Sequence, residues 1–180
     1  LNCVLLKQTA PKHKPFGIPD ASFIPLTNRA NMITKMPIRL STISSLELQN
    51  KTVFWDVGAC TGSVAIEAKQ HFPHLKIVAF EKRTECTAII QQNTARFSTP
   101  GIDIIIDDFF NLNLNDFEIP DVVFIGGHGG RLKEVLHLIH QLTPAVRFVT
   151  NAVRESSSKL FTEELTNLNY IVNTSVIHVN

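Results

Sequence analysis

The stretch Val53-Phe54-Trp55-Asp56-Val57-Gly58-Ala59-Cys60-Thr61-Gly62 constrains the chain most. Val53, Phe54, Trp55 and Val57 form a near-continuous apolar run, the pattern of a strand covered on both faces in a parallel sheet. The run meets an acidic residue and then two glycines. From Ser63 onward, Val64, Ala65, Ala68 and Phe72 fall on one helical face. Gly58 and Gly62 tolerate positive φ and carry no Cβ, which leaves the backbone open to a ligand. A glycine turn that opens a helix at the carboxyl end of a buried strand is where open α/β sheets hold nucleotide-like ligands. An ordinary strand-to-helix turn is the plainer alternative.

The rest of the chain repeats this alternation. Residues 76–81 read as a second buried strand ending at Glu81, and residues 102–106 as a third, followed by Asp107 and Asp108. Residues 121–125 read as a fourth, running into Gly126-Gly127-His128-Gly129-Gly130, and residues 146–149 as a fifth. Cys86, Ile89, Ile90 and Phe97 form the inward face of a helix over 84–97. Leu132, Val135, Leu136 and Ile139 mark another, and a further helix covers 156–168. A helix capped by Thr34, with Pro37 in its first turn, is expected to bury Leu40, Ile43, Leu46 and Leu48. A last strand is expected over 170–179. Strands alternating with helices predict the α/β class, a Rossmann-like, mostly parallel sheet with helices on both faces.

Composition closes off several classes. A chain of 180 residues with 44% hydrophobic and 18% charged residues suits one domain with a proper core. A net charge of +1 gives no basic field for nucleic acid, and no apolar run is long enough to span a bilayer, so neither partner is expected. Cys3, Cys60 and Cys86 have neither metal-ligand nor redox spacing, which suits a reducing cytoplasm and predicts no metal. Leu1 to Leu6 is strand-like and leads into a basic, proline-punctuated stretch over 7–15. Residues 1–16 therefore read either as the tail of an upstream domain plus linker or as an N-terminal arm, with the main domain over 17–180.

Asp56-x-Gly58-x-Cys60-x-Gly62 misses the spacing of the dinucleotide fingerprint G-x-G-x-x-G. It resembles the nucleoside-binding motif of class I S-adenosyl-L-methionine (SAM) methyltransferases, with Cys60 in place of the middle glycine. Glu81 lies about 20 residues beyond Gly62, the distance at which an acid accepts hydrogen bonds from ribose hydroxyls. The resemblance implies that Asp108, rather than Asp107, meets the adenine amino group.

The segments outside this motif narrow the family. Gly17-Ile18-Pro19-Asp20 with Phe23, Thr34-Lys35 with Arg39, Trp55 to Ala59 leading into Thr61 to Ala68, Phe124 to Gly127 with Gly129-Gly130, and Asn151-Ala152-Val153 are together similar to the decarboxylating precorrin methyltransferases of cobalamin biosynthesis. That resemblance implies methylation of carbon 15 of precorrin-6B or its cobalt form, with loss of carboxyl from the acetate on carbon 12. It implies SAM as cofactor, a fused upstream methyltransferase domain as partner, and a homo-oligomer, often a tetramer. The cofactor residues it implies are Thr34, Asp56, Gly58, Cys60, Thr61, Gly62, Glu81, Lys82, Asp108, Gly126 and Gly127. His128 and Asn151 are the catalytic candidates, although a histidine in such a loop is often merely exposed. Lys35, Arg39, Arg131 and Arg154 are candidate cations for the substrate carboxylates, a solvated charged face being the alternative.

The rivals are a SAM methyltransferase for RNA or protein, a nicotinamide dehydrogenase, and a non-catalytic SAM-fold module. Ile125-Gly126-Gly127-His128 stands where amino-methylating nucleic-acid enzymes carry an Asn/Asp-Pro-Pro-aromatic sequence, which disfavours the first.

Overall fold

The computed structural model describes residues 16–27, 29 and 32–178. Leu1 to Leu6, Cys3 and the basic linker lie outside these. The sheet is built on β1 (Val53–Val57), every residue of which is buried. β2 (Lys76–Glu81) and β3 (Ile102–Ile106) lie to one side of it, and β4 (Val122–Ile125) and β5 (Arg147–Thr150) to the other. The order is β3-β2-β1-β4-β5 and every pairing is parallel.

The pleat sends alternate residues to opposite layers. Val53, Trp55 and Val57 face α4 (Leu132–Leu142) and α5 (Glu155–Asn167), packing with Leu132, Val135, Leu136, Ile139 and Leu165. Phe54 faces α1 (Met36–Leu46) and α2 (Ser63–His71), packing with Ile43, Leu46, Val64, Ala65 and Ala68. α3 (Cys86–Arg96) completes that second layer through Cys86, Ile89 and Ile90. Helices on both faces explain why β1 reads as unbroken apolar sequence. Among the described residues no helix is long and apolar enough to cross a membrane.

Two expectations need correction. Thr34 does not cap α1: the cap position is Lys35, with no side-chain capping bond, and Pro37 sits in the first turn. Thr34 instead uses its carbonyl to accept a hydrogen bond from Arg39. The strand expected over 170–179 does not form through residue 178. Tyr170 is tied down, its hydroxyl donating to the Pro144 carbonyl at 2.8 Å. Beyond it the chain finds no ladder partner, and Ile171 and Val176 are almost fully exposed. A stretch rich in β-branched residues forms a strand only where an edge is available to receive it.

Candidate active site

The chain adds β2 and β3 on one side of β1, then crosses back to place β4 and β5 on the other. Open α/β sheets form a crevice at such a reversal, outside the carboxyl ends of the strands. Backbone hydrogen bonds knit this edge together. The Phe80 carbonyl accepts from the Gly58 and Ala59 amides, and the Val57 carbonyl from the Gly126 and Gly127 amides.

Gly58 is needed here for a reason other than the expected one. Its φ is +81°, and a Cβ added to it would lie 2.4 Å from the Gly127 nitrogen. The missing side chain therefore lets two protein loops meet. Gly62 behaves similarly: its φ is +73°, and its Cβ would press on Ile90 at 3.0 Å. Cys60 also adopts a left-handed conformation, with φ of +53°. Its thiol donates to the Met32 carbonyl at 3.0 Å, tying the turn to the segment before α1.

Two cavities adjoin across the Gly58–Gly127 contact. The first, of about 350 Å³, is bordered by Glu81, Lys82, Asp107, Asp108, Phe109 and His128. The second, of about 420 Å³, is bordered by Thr34, Lys35, Asp56, Cys60, Thr61 and Asn151. Gly58, Gly127, Met32 and Arg83 border both. Volumes of this order suit small-molecule sites.

In the first cavity, the Glu81 carboxylate is nearly buried. Burial pushes its pKa up, but bonds from the Arg83 side chain and amide and from the Cys60 amide outweigh this and hold it below the usual range. Asp108 accepts from the Phe110 amide at 3.1 Å, closing the turn Phe109–Asn111. Burial lowers the pKa of His128, favouring the neutral ring, and its Nδ1 is buried with no hydrogen-bond partner.

In the second cavity, Asp56 is 1% exposed. Its Oδ2 accepts from the Ala65 amide of α2 at 3.2 Å, while its Oδ1 has no partner. Burial pushes its pKa up to about 7, the Ala65 bond opposes this, and the Glu81 charge adds to it. Asn151 is held by Thr42 on α1: its Nδ2 lies 3.0 Å from the Thr42 hydroxyl, which also reaches the Ile38 carbonyl at 2.8 Å.

The expected residues thus divide. Glu81, Lys82, Asp108, His128 and Arg131 gather at the first cavity, and Thr34, Lys35, Asp56, Cys60, Thr61, Gly126 and Asn151 at the second. The two catalytic candidates, His128 and Asn151, border different cavities. Arg131 lies over the Phe110 ring, 3.4 Å from its centroid, and pairs with Glu134. Arg154 is exposed at the start of α5 and borders neither cavity.

Arg39 is a correction. It is fully buried and pairs with the equally buried Glu67. Its remaining donors reach Asp20 and the carbonyls of Ile18 and Thr34. A cation so enclosed and bonded cannot hold a substrate in the cleft. The spacing of Lys35 and Arg39 suggested a gripping pair, and both do approach one carboxylate, but it is the protein's own Asp20, and only Lys35 keeps an exposed side chain. Arg83 and Met32 were missed. Nothing in the sequence separates Arg83 from an ordinary surface arginine except its place two residues after Glu81.

Comparison with known proteins adds a family. A model described as a precorrin methyltransferase domain matches residues 27–173. The cobalt-precorrin-6B C(15)-methyltransferase (decarboxylating) of Salmonella typhimurium is 32% identical over 126 residues, 69% of this chain and 64% of that protein. The precorrin-6Y C(5,15)-methyltransferase [decarboxylating] of a Sinorhizobium species is 31% identical over 121 residues, 67% of this chain but 29% of that protein. The chain therefore spans less than two thirds of these relatives. Among solved structures, precorrin-6y C5,15-methyltransferase from Geobacter metallireducens GS-15 superposes with a TM-score of 0.80 at 31% identity, covering 90% of this chain and 85% of that one. Precorrin 8W decarboxylase from Methanobacterium thermoautotrophicum gives 0.75 at 25% identity, covering 87% and 83%.

Proposed function

Because the chain belongs to the precorrin methyltransferase family, we propose that it is a SAM-dependent enzyme that methylates carbon 15 of precorrin-6B or its cobalt form, with decarboxylation of the acetate on carbon 12. The observation that carries this is the pair of adjoining cavities at the sheet's reversal point. One is lined by acids and phenylalanines and the other is bordered by Lys35 and Asn151.

The residues present fit SAM. Glu81 is the acid for the ribose hydroxyls, Asp108 for the adenine amino group, and Phe109 and Phe110 supply apolar walls. Asp56, with one buried oxygen unpartnered, and the turn through Cys60 and Thr61 suit the amino-acid end of the cofactor, while Gly62, set behind that turn against Ile90, borders neither cavity. SAM, when bound, supplies an electrophilic methyl on a sulfonium. An electron-rich carbon of the reduced macrocycle accepts that methyl directly, so the protein needs no nucleophile of its own. Its part is to align the reactants and exclude water. Lys35 offers a charge-assisted bond to a macrocycle carboxylate, and the Thr42 contact fixes the Asn151 amide beside it.

We assign residues 17–180 to this domain and residues 1–16 to the tail of an upstream domain. The greater length of the Sinorhizobium relative supports a fusion of that kind. Free Cys60 and Cys86 suit a reducing cytoplasm, and the homo-oligomer is retained as an expectation.

The test is calorimetric titration of S-adenosylhomocysteine into the chain, followed by incubation with precorrin-6B and SAM. Binding that Glu81→Gln abolishes, and a product whose mass has gained CH2 (a methyl in place of a hydrogen) and lost carbon dioxide, support the reading. Methylation of RNA or protein instead, or no binding at millimolar ligand, overturns it.

A further inference from the structure

Arg83 borders both cavities, and its guanidinium occupies the carboxylate that the ribose requires. A carboxylate offers about four lone-pair sites, and in Glu81 all are taken. Oε1 accepts from the Arg83 amide at 3.0 Å and from Arg83 Nε at 2.9 Å. Oε2 accepts from the Cys60 amide at 2.9 Å and from Arg83 Nη2 at 2.8 Å. The two amides belong to the backbone and stay. The two guanidinium bonds sit at the end of a long side chain that is 22% exposed and can be given up without unmaking any backbone contact. A ribose with two neighbouring hydroxyls needs two sites, and only displacement of the guanidinium frees two.

The displaced group remains in the cleft. Arg83 Nη1 lies 3.5 Å from Met32 Sδ, on the segment that also carries Lys35, and the residue borders the second cavity together with Lys35. A guanidinium is a planar fork that matches a carboxylate with two parallel bonds.

We propose that Arg83 is an exchange latch: the cofactor's ribose hydroxyls displace its guanidinium from Glu81, and the freed guanidinium then takes a carboxylate of the macrocycle. Binding is therefore ordered, cofactor first, and each ligand strengthens the other. The latch rests on the SAM reading above, and the following experiment separates failure of one from failure of the other.

S-adenosylhomocysteine is titrated calorimetrically into the wild-type chain, Arg83→Met, Arg83→Lys and Glu81→Gln. Uroporphyrin, a stable polycarboxylated tetrapyrrole, is then titrated by fluorescence with and without S-adenosylhomocysteine. Arg83→Met is expected to bind S-adenosylhomocysteine about 10-fold tighter than wild type, because nothing need be displaced. Arg83→Lys, a charge without the fork, falls between. In the wild type, S-adenosylhomocysteine tightens porphyrin binding by roughly 5-fold or more, and in Arg83→Met this coupling disappears. Equal or weaker S-adenosylhomocysteine binding by both Arg83 variants overturns the latch, since the arginine would then support the carboxylate rather than block it. Coupling that survives in Arg83→Met also overturns it. Absence of S-adenosylhomocysteine binding in all four proteins overturns the cofactor reading, and the latch with it.

Discussion

Arg39→Ala tests the reassignment of a cation from substrate holder to structural pin. In the wild type, Arg39 Nε meets Glu67 Oε2 at 2.5 Å, Nη1 reaches Asp20 at 3.1 Å and the Thr34 carbonyl at 2.6 Å, and Nη2 reaches the Ile18 carbonyl. Glu67 also accepts from the Gly17 and Ile18 amides at 2.6 and 3.0 Å. The pair thus fastens residues 17–20 to α1 and α2. Truncation leaves the Glu67 carboxylate at 0% exposure with only those amides. Removing one partner of a buried ion pair costs about 3–5 kcal/mol, a large share of the roughly 5–15 kcal/mol that holds a domain together. For a chain of this size each kcal/mol lowers Tm by roughly 2–4 °C, so a loss of about 4 kcal/mol lowers it by roughly 8–16 °C. Circular dichroism melts at pH 7 read this directly. The double variant Arg39→Met with Glu67→Gln should recover much of the loss, because no charge is stranded. A single variant that melts within about 2 °C of wild type but loses tetrapyrrole affinity would refute the reasoning and return Arg39 to the substrate site.

Asp56 should tie stability to pH. Its folded pKa, about 7, lies above the ordinary 3.8, so between these values the folded chain holds a proton that the unfolded chain has released. Stability therefore falls as pH rises from about 4 to about 7, and Asp56→Asn should flatten that part of a plot of urea midpoint against pH. A persistent slope would assign it to other groups. Cys60→Gly should melt higher than Cys60→Ala by an amount equivalent to about 1 kcal/mol, since φ of +53° favours glycine; equal melting points would mean that the turn relaxes. Gly58→Ala should destabilise by more than about 1 kcal/mol and remove S-adenosylhomocysteine binding, because its Cβ would lie 2.4 Å from the Gly127 backbone. A stable, binding-competent Gly58→Ala would show that the two loops need not touch.

The sheet was legible because its signal is redundant. The apolar run of β1 and the stripe Leu132, Val135, Leu136, Ile139 each imply a buried face, and both faces exist. The strand expected after Tyr170 does not form through residue 178, since a β-branched composition is blind to whether an edge will accept it. Glu81 and Asp56 could be placed at the crevice rim because each lies at or next to the carboxyl end of its strand, whereas Asn151 was suggested by the family resemblance alone. Arg39 misled because sequence spacing brings two cations together without saying that the carboxylates they meet, Asp20 and Glu67, belong to the protein itself. Arg83 escaped notice because what fixes it between the two cavities is a bond to its neighbour but one, which spacing cannot reveal.

The Val57 and Phe80 carbonyls, each bridging to two loop amides, make the crevice floor a continuation of the sheet's own hydrogen-bond ladder. Amide hydrogen exchange at Gly58, Ala59, Gly126 and Gly127 should then be as slow as in the strands themselves, because these groups open only when the sheet does. A floor already ordered before a ligand arrives leaves the entropy of binding to the wall through Met32 to Lys35 and to a few side chains. Changes of ligand preference are therefore most readily accommodated in that wall, where new contacts leave the sheet intact.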